Sequence, residues 1–119
     1  EKKDNILQKI EIYENSSNET SFQLATLYHE IYYLCLVDPM LGHFYLEKAC
    51  RYCDLALESD PKNPDIIDCA IRYNLKFGNI KKAEKLLQTA YQKFGTELSF
   101  TLPSYENEIK IIKGETQIR

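Results

Sequence analysis

Along most of this 119-residue chain, apolar side chains recur every three or four positions, the period that gathers them on one face of a helix. Asp4 to Tyr13 reads as a short first helix, with Ile6, Leu7, Ile10 and Tyr13 on one side. Asn15-Ser16-Ser17-Asn18 breaks it. Thr20, followed three positions on by Gln23, has the form of a capping box opening a helix that runs to about Leu36. Leu24, Leu27, Tyr28, Ile31, Leu34 and Cys35 give that helix a wide apolar face, and Tyr32 and Leu36 widen it further. A helix this apolar belongs in the middle of a fold. Asp38-Pro39 then restarts the chain, with Asp as N-cap and Pro at the first helical position. The helix it opens continues to about Ser59 and carries Gly42 at a mild cost in propensity.

Asp60-Pro61-Lys62-Asn63-Pro64 is a turn by composition, and Asn63-Pro64 is again a cap followed by proline. The helix that follows turns Ile67, Ala70, Ile71, Asn74 and Leu75 inward, and Gly78 closes it as a left-handed residue. Ile80 to Lys93 forms the next helix, ending at Phe94-Gly95. In the tail, Leu98, Phe100 and Leu102 alternate as a strand would, but Tyr105, Ile109 and Ile112 recur at helical spacing with Gly114 as a stop. The favoured reading is a last helix from Pro103 to Lys113 that covers an open end of the fold; a strand over Glu108 to Lys113 is the alternative. The last few residues are expected to fray.

Two of these helices echo one another. Leu46, Lys48, Ala49, Arg51, Cys53 and Ala56 align with Ile80, Lys82, Ala83, Lys85, Leu87 and Ala90 at a constant offset of 34 residues, a helical-repeat period. Within each copy the two alanines lie seven apart on one helix face, where a small side chain lets a neighbouring helix come close. Gly78-Asn79 followed by Ala83, Leu87 and Ala90 resembles the tetratricopeptide repeat family, whose unit is a pair of antiparallel helices. The earlier copy supplies Ala49, Cys53, Ala56 and Pro61, with Phe44 in the place of the turn glycine. Gly95 stands where the family has proline, Ile71 where it has a small residue, and no Trp occurs. The match spans roughly Thr20 to Gly95; two unrelated amphipathic hairpins that happen to align are the alternative.

The resemblance implies an all-α, TPR-like stack of antiparallel helical hairpins with five to six helices. The chain reads as one domain, 1–119: an N-terminal helix and loop (1–19), a first helical pair (20–61), a second (62–95) and a capping helix (96–119). It begins at Glu1, so it is expected to be part of a longer protein. There is no long apolar run of the kind that spans a membrane. A net charge of −3 and pI near 5.4 argue against nucleic acid, whose phosphates call for a clustered basic surface.

Catalytic and metal chemistry find little support. Cys35, Cys50, Cys53 and Cys69 fall in helical patterns rather than short loops, so buried thiols are expected instead of disulfides, which favours a reducing compartment such as the cytoplasm. Cys50-x-x-Cys53 lies in mid-helix, away from the N-terminus where a redox pair gains its low pKa, and no second close pair completes a zinc site. His43, Glu47, Cys50 and Asp54 share a stripe, read as a solvated face with His43 and Glu47 as an exposed ion pair. No Ser/His/Asp or Cys/His set is spaced for a nucleophile, and no glycine-rich phosphate loop is present. Two N-x-S/T patterns, at Asn15 and Asn18, are read as polar loop. No cofactor and no metal are expected.

In the resembling family, exposed side chains on the first helix of each pair line a concave groove that holds a partner's peptide or helix. Carried over, this picks out Asp65, Asp68, Arg72 and Lys76 on the later helix, and His29, Tyr33 and Tyr32 on the earlier one, Tyr32 being equally well placed for the core. Cys69 stands where chaperone-binding members carry an Asn, which disfavours that specialisation. The expected function is therefore a non-enzymatic protein–protein interaction module, a scaffold or adaptor, with Arg72 and Tyr33 mattering for a protein partner and little for folding. Self-association as a homodimer is the alternative.

Overall fold

The computed structural model describes residues 2–35 and 37–114. Six helices account for the regular structure: α1 (Lys2–Glu14), α2 (Ser21–Tyr33), α3 (Pro39–Ser59), α4 (Pro64–Phe77), α5 (Ile80–Phe94) and α6 (Leu102–Ile112). No strand occurs among the described residues, so the tail adopts the helix and not the strand. Leu36, expected to widen the α2 face, and the terminal residues 115–119, expected to fray, lie outside the described residues.

The chain forms two units, Glu1–Lys62 and Asn63–Arg119. In the first, α2 packs on both α1 and α3. Ile6 and Ile10 of α1, Leu24, Ala25, Tyr28 and Ile31 of α2, and Leu46, Ala49, Cys53 and Ala56 of α3 are buried. In the second unit, α4 and α5 are joined by two residues and pack together, so they run antiparallel, and α6 lies against both. Its buried residues include Ile66, Ile67, Ala70, Ile71, Tyr73 and Leu75 of α4, with Ala83, Leu87, Ala90 and Phe94 of α5.

The helix boundaries follow from local chemistry. Asp38 accepts a hydrogen bond from the Leu41 amide at 3.3 Å and Asn63 one from the Asp65 amide at 2.9 Å, each immediately before a proline. Gly78 closes α4 at φ +98°, and the amides of Gly78 and Asn79 both reach the Asn74 carbonyl, at 3.0 and 2.9 Å. Asn74 itself is 1% exposed; its side-chain amide donates to the Ala70 carbonyl at 2.8 Å, which offsets the cost of burying it. Gly114 ends the tail helix at φ +73°.

Three local readings are corrected. Thr20 forms no capping box: its hydroxyl donates to the Tyr13 carbonyl at 3.0 Å, and Glu19 accepts from the Ser21 amide at 3.0 Å in its place. α2 stops at Tyr33, and Leu34, expected on the buried face, is 40% exposed because the chain has already left the helix there. Of the carboxylate–histidine stripe on α3, Cys50 is buried, while Glu47 lies 3.8 Å from Arg51 with both side chains well exposed. Such a pair is worth less than about 1 kcal/mol.

Gly42 and Gly78 predict substitutions of opposite sign. A methyl at Gly42 would stand 3.4 Å from the Cys35 carbonyl oxygen and 3.5 Å from the Tyr32 ring, ordinary contact distances. Gly42→Ala should therefore keep the helix-propensity gain of roughly 0.5–1 kcal/mol. Gly78→Ala places a side chain in the left-handed region and should cost about 1–2 kcal/mol. Urea unfolding of both variants checks the pair.

Candidate functional site

The residues singled out from the sequence fall into two groups, one in each unit. In the first unit, three rings gather at the C-terminal end of α2. His29 meets Tyr33 edge to face with ring centroids 4.9 Å apart and lies 6.0 Å from Tyr32, while Tyr32 and Tyr33 are 5.3 Å apart. The i, i+3 and i, i+4 spacings produce the gathering. Tyr33 is exposed, and His29 and Tyr32 are half-buried. The cluster thus offers aromatic area on a packed base.

In the second unit, Asp65, Asp68, Arg72 and Lys76 all lie on α4, but they do not form one exposed row. Asp65 sits in the first turn and Lys76 in the last, both exposed, each with the sign that complements the helix dipole. Asp68 and Arg72 are drawn together at 3.1 Å. The Tyr105 hydroxyl of α6 donates to the other Asp68 oxygen at 2.7 Å. Arg72 also lies 3.6 Å from the Cys69 sulfur and 5.7 Å from the centre of the Tyr73 ring. Asp68 and Arg72 therefore help to hold α6, a structural task that the surface reading of α4 did not anticipate. Burial pushes the Cys69 thiol above its ordinary range, which keeps it protonated and unreactive.

A second tyrosine–carboxylate arrangement ties the first unit. Glu14, at the end of α1, accepts from the Tyr28 hydroxyl at 2.6 Å and from the Tyr52 hydroxyl at 3.1 Å, and the Tyr28 and Tyr52 rings stack 5.7 Å apart. One carboxylate thereby joins α1, α2 and α3. These partners lie 14 and 38 residues apart, a separation that no periodicity reports.

The four cysteines are buried thiols outside any disulfide. Among the described residues no group of three or more His, Cys, Asp or Glu is arranged to hold a metal ion, and no helix is long and apolar enough to cross a membrane. Comparison with known protein families, with characterised proteins and with solved structures found no match. The fold class, all-α with six helices among the described residues, is what the structure defines.

Both tyrosine–carboxylate ties have an alkaline signature. Burial, and then the hydrogen bond to Asp68, push the Tyr105 hydroxyl up to about 12. Burial and Glu14 raise Tyr28 as well. An unfolded tyrosine ionises near pH 10, so above that pH the unfolded chain releases phenolic protons that the folded chain keeps. Stability should be fully present below about pH 10 and fall as pH rises toward 12. Denaturant unfolding between pH 8 and 11.5 should show this fall, and Tyr105→Phe should make it shallower.

Proposed function

We propose that the chain is a tetratricopeptide-like interaction module that holds a segment of a partner polypeptide and performs no reaction of its own. The observation that carries this reading is the aromatic end of α2, where Tyr33 is 45% exposed yet held by its edge-to-face contact with His29. A ring that is already ordered loses little freedom when a partner covers it, and tyrosine presents both apolar area and a polar tip. The repeat pattern supports the reading further: the four alanines that align across the 34-residue echo, Ala49, Ala56, Ala83 and Ala90, are 0–2% exposed. On α4, Asp65 and Lys76 are exposed, whereas Asp68 and Arg72 share their charges with the α6 contact.

A self-association module is the second reading, favoured by one observation. Val37 and Met40, at the turn into α3, are 96% and 86% exposed, and Phe44 one turn on is 48% exposed. Light scattering separates the two, since a stable dimer at micromolar concentration supports self-association.

Partner capture by the wild-type chain, compared with Tyr33→Ala and Lys76→Ala, tests the favoured reading. A hot-spot tyrosine costs on the order of 2 kcal/mol or more in affinity when truncated, while an exposed substitution leaves stability within about 0.5 kcal/mol. Tyr33→Ala is expected to lose the partner and melt normally. Full recovery of the partner by both variants would rule out this surface.

A further inference from the structure

We infer that the face of α4 and α5 beneath α6 is a helix-docking site, and that α6 is its intramolecular occupant, replaceable by a partner's amphipathic helix of the same pattern. This goes beyond the surface proposed on α2 and does not rest on it.

The attachment of α6 is narrow. Three side chains at i, i+3 and i+7, namely Leu102, Tyr105 and Ile109, are buried, and the other eight of its eleven residues are exposed. The polar contacts that pin it include Tyr105 to Asp68 of α4 at 2.7 Å, Tyr91 of α5 to Glu106 at 2.9 Å, and Lys113 to Glu84 of α5 at 2.8 Å. The last two are exposed, where such contacts hold weakly. A cleft of about 210 Å³ remains between α5 and α6, bordered by Leu87, Gln88, Glu106 and Ile109, so the two helices do not fill the space between them. The connector 95–101 adds no large anchor at Phe100, which is 96% exposed. An element held by so few buried side chains belongs to the less stable part of a fold, which opens locally without global unfolding.

What the site takes is shown by what fills it. The occupant is a helix presenting a large apolar residue, a phenolic donor three positions later to reach Asp68, an acceptor beside it for Tyr91, and an Ile four positions beyond the phenol. A partner helix with that pattern makes the same contacts. It must compete with α6, whose tether gives it an effective concentration in the millimolar range, so apparent affinity for the partner scales with the fraction of chains in which α6 is undocked.

A fluorescent peptide of residues Thr101–Gly114, titrated against the full chain by anisotropy, tests this. Binding to the wild-type chain should be weak. Ile109→Ala, which loosens α6 and leaves the face beneath it intact, should tighten peptide binding at least tenfold. The same peptide with Tyr105→Phe should bind severalfold less well to that variant. If Ile109→Ala loses its helical circular dichroism, Glu106→Ala combined with Tyr105→Phe in the chain releases two of the polar contacts without opening a cavity, since Glu106 is exposed, and should also tighten binding. Equal affinity for wild type and the loosened chains, or no binding to any of them, overturns the inference. A stable dimer with exchanged α6 helices also overturns it, because the outside occupant is then a second copy. The peptide affinities leave the Tyr33 surface untouched, which the capture experiment reads separately.

Discussion

Helices approach closely only where the side chains between them are small, and that constraint shapes both units. Ala49 and Ala56 on α3, and Ala83 and Ala90 on α5, lie two turns apart on one face of each helix, and all are buried. Ala25 of α2 and Ala70 of α4, on the helices they pack against, are fully buried too. With small residues on the packing faces, the larger neighbours (Leu46 and Cys53 in one unit, Leu87 and Phe94 in the other) fill the space beside the contact. The Asp38-Pro39 and Asn63-Pro64 starts and the Gly78 stop then fix where each helix begins or ends, so that the alanine faces fall in register with their partners.

Polar ties act on top of this packing. Glu14 gathers Tyr28 and Tyr52, and Asp68 receives Tyr105, so a carboxylate binds a peripheral helix to each hairpin. Both ties sit where apolar burial is thin, since α1 buries only Ile6 and Ile10 and α6 only Leu102, Tyr105 and Ile109. A hydrogen bond to a charged acceptor contributes about 1.5–3 kcal/mol where it is shielded, a large share of what holds such a helix in place. The two hairpins are the stable centres of their units, and α6 is an attachment.

Much of this was legible in the sequence. The six helices, the two proline-marked starts, the glycine stop and the buried alanines all follow from local periodicity and capping chemistry, which act within a few residues. The failure of the capping box at Thr20 was not legible, because the Thr20 hydroxyl is drawn to Tyr13, a contact made only when α1 folds back. The row on α4 was half legible. Asp65 and Lys76 are exposed as the spacing implies, but Asp68 and Arg72 are occupied by a tyrosine 37 positions from Asp68. Pairings of that kind depend on which helices meet, and a lone Asp or Tyr carries no sign of it.

The central claim, that close approach at the alanines specifies the hairpins, is open to a single comparison. Ala83→Leu adds bulk at a fully buried position of α5, while Lys81→Leu adds an apolar side chain on the exposed side of the same helix. Urea unfolding should show Ala83→Leu losing about 1–3 kcal/mol or more from overpacking, and Lys81→Leu staying within about 0.5 kcal/mol. An Ala83→Leu chain as stable as wild type would contradict the account, because the helices would then need no small residue where they meet.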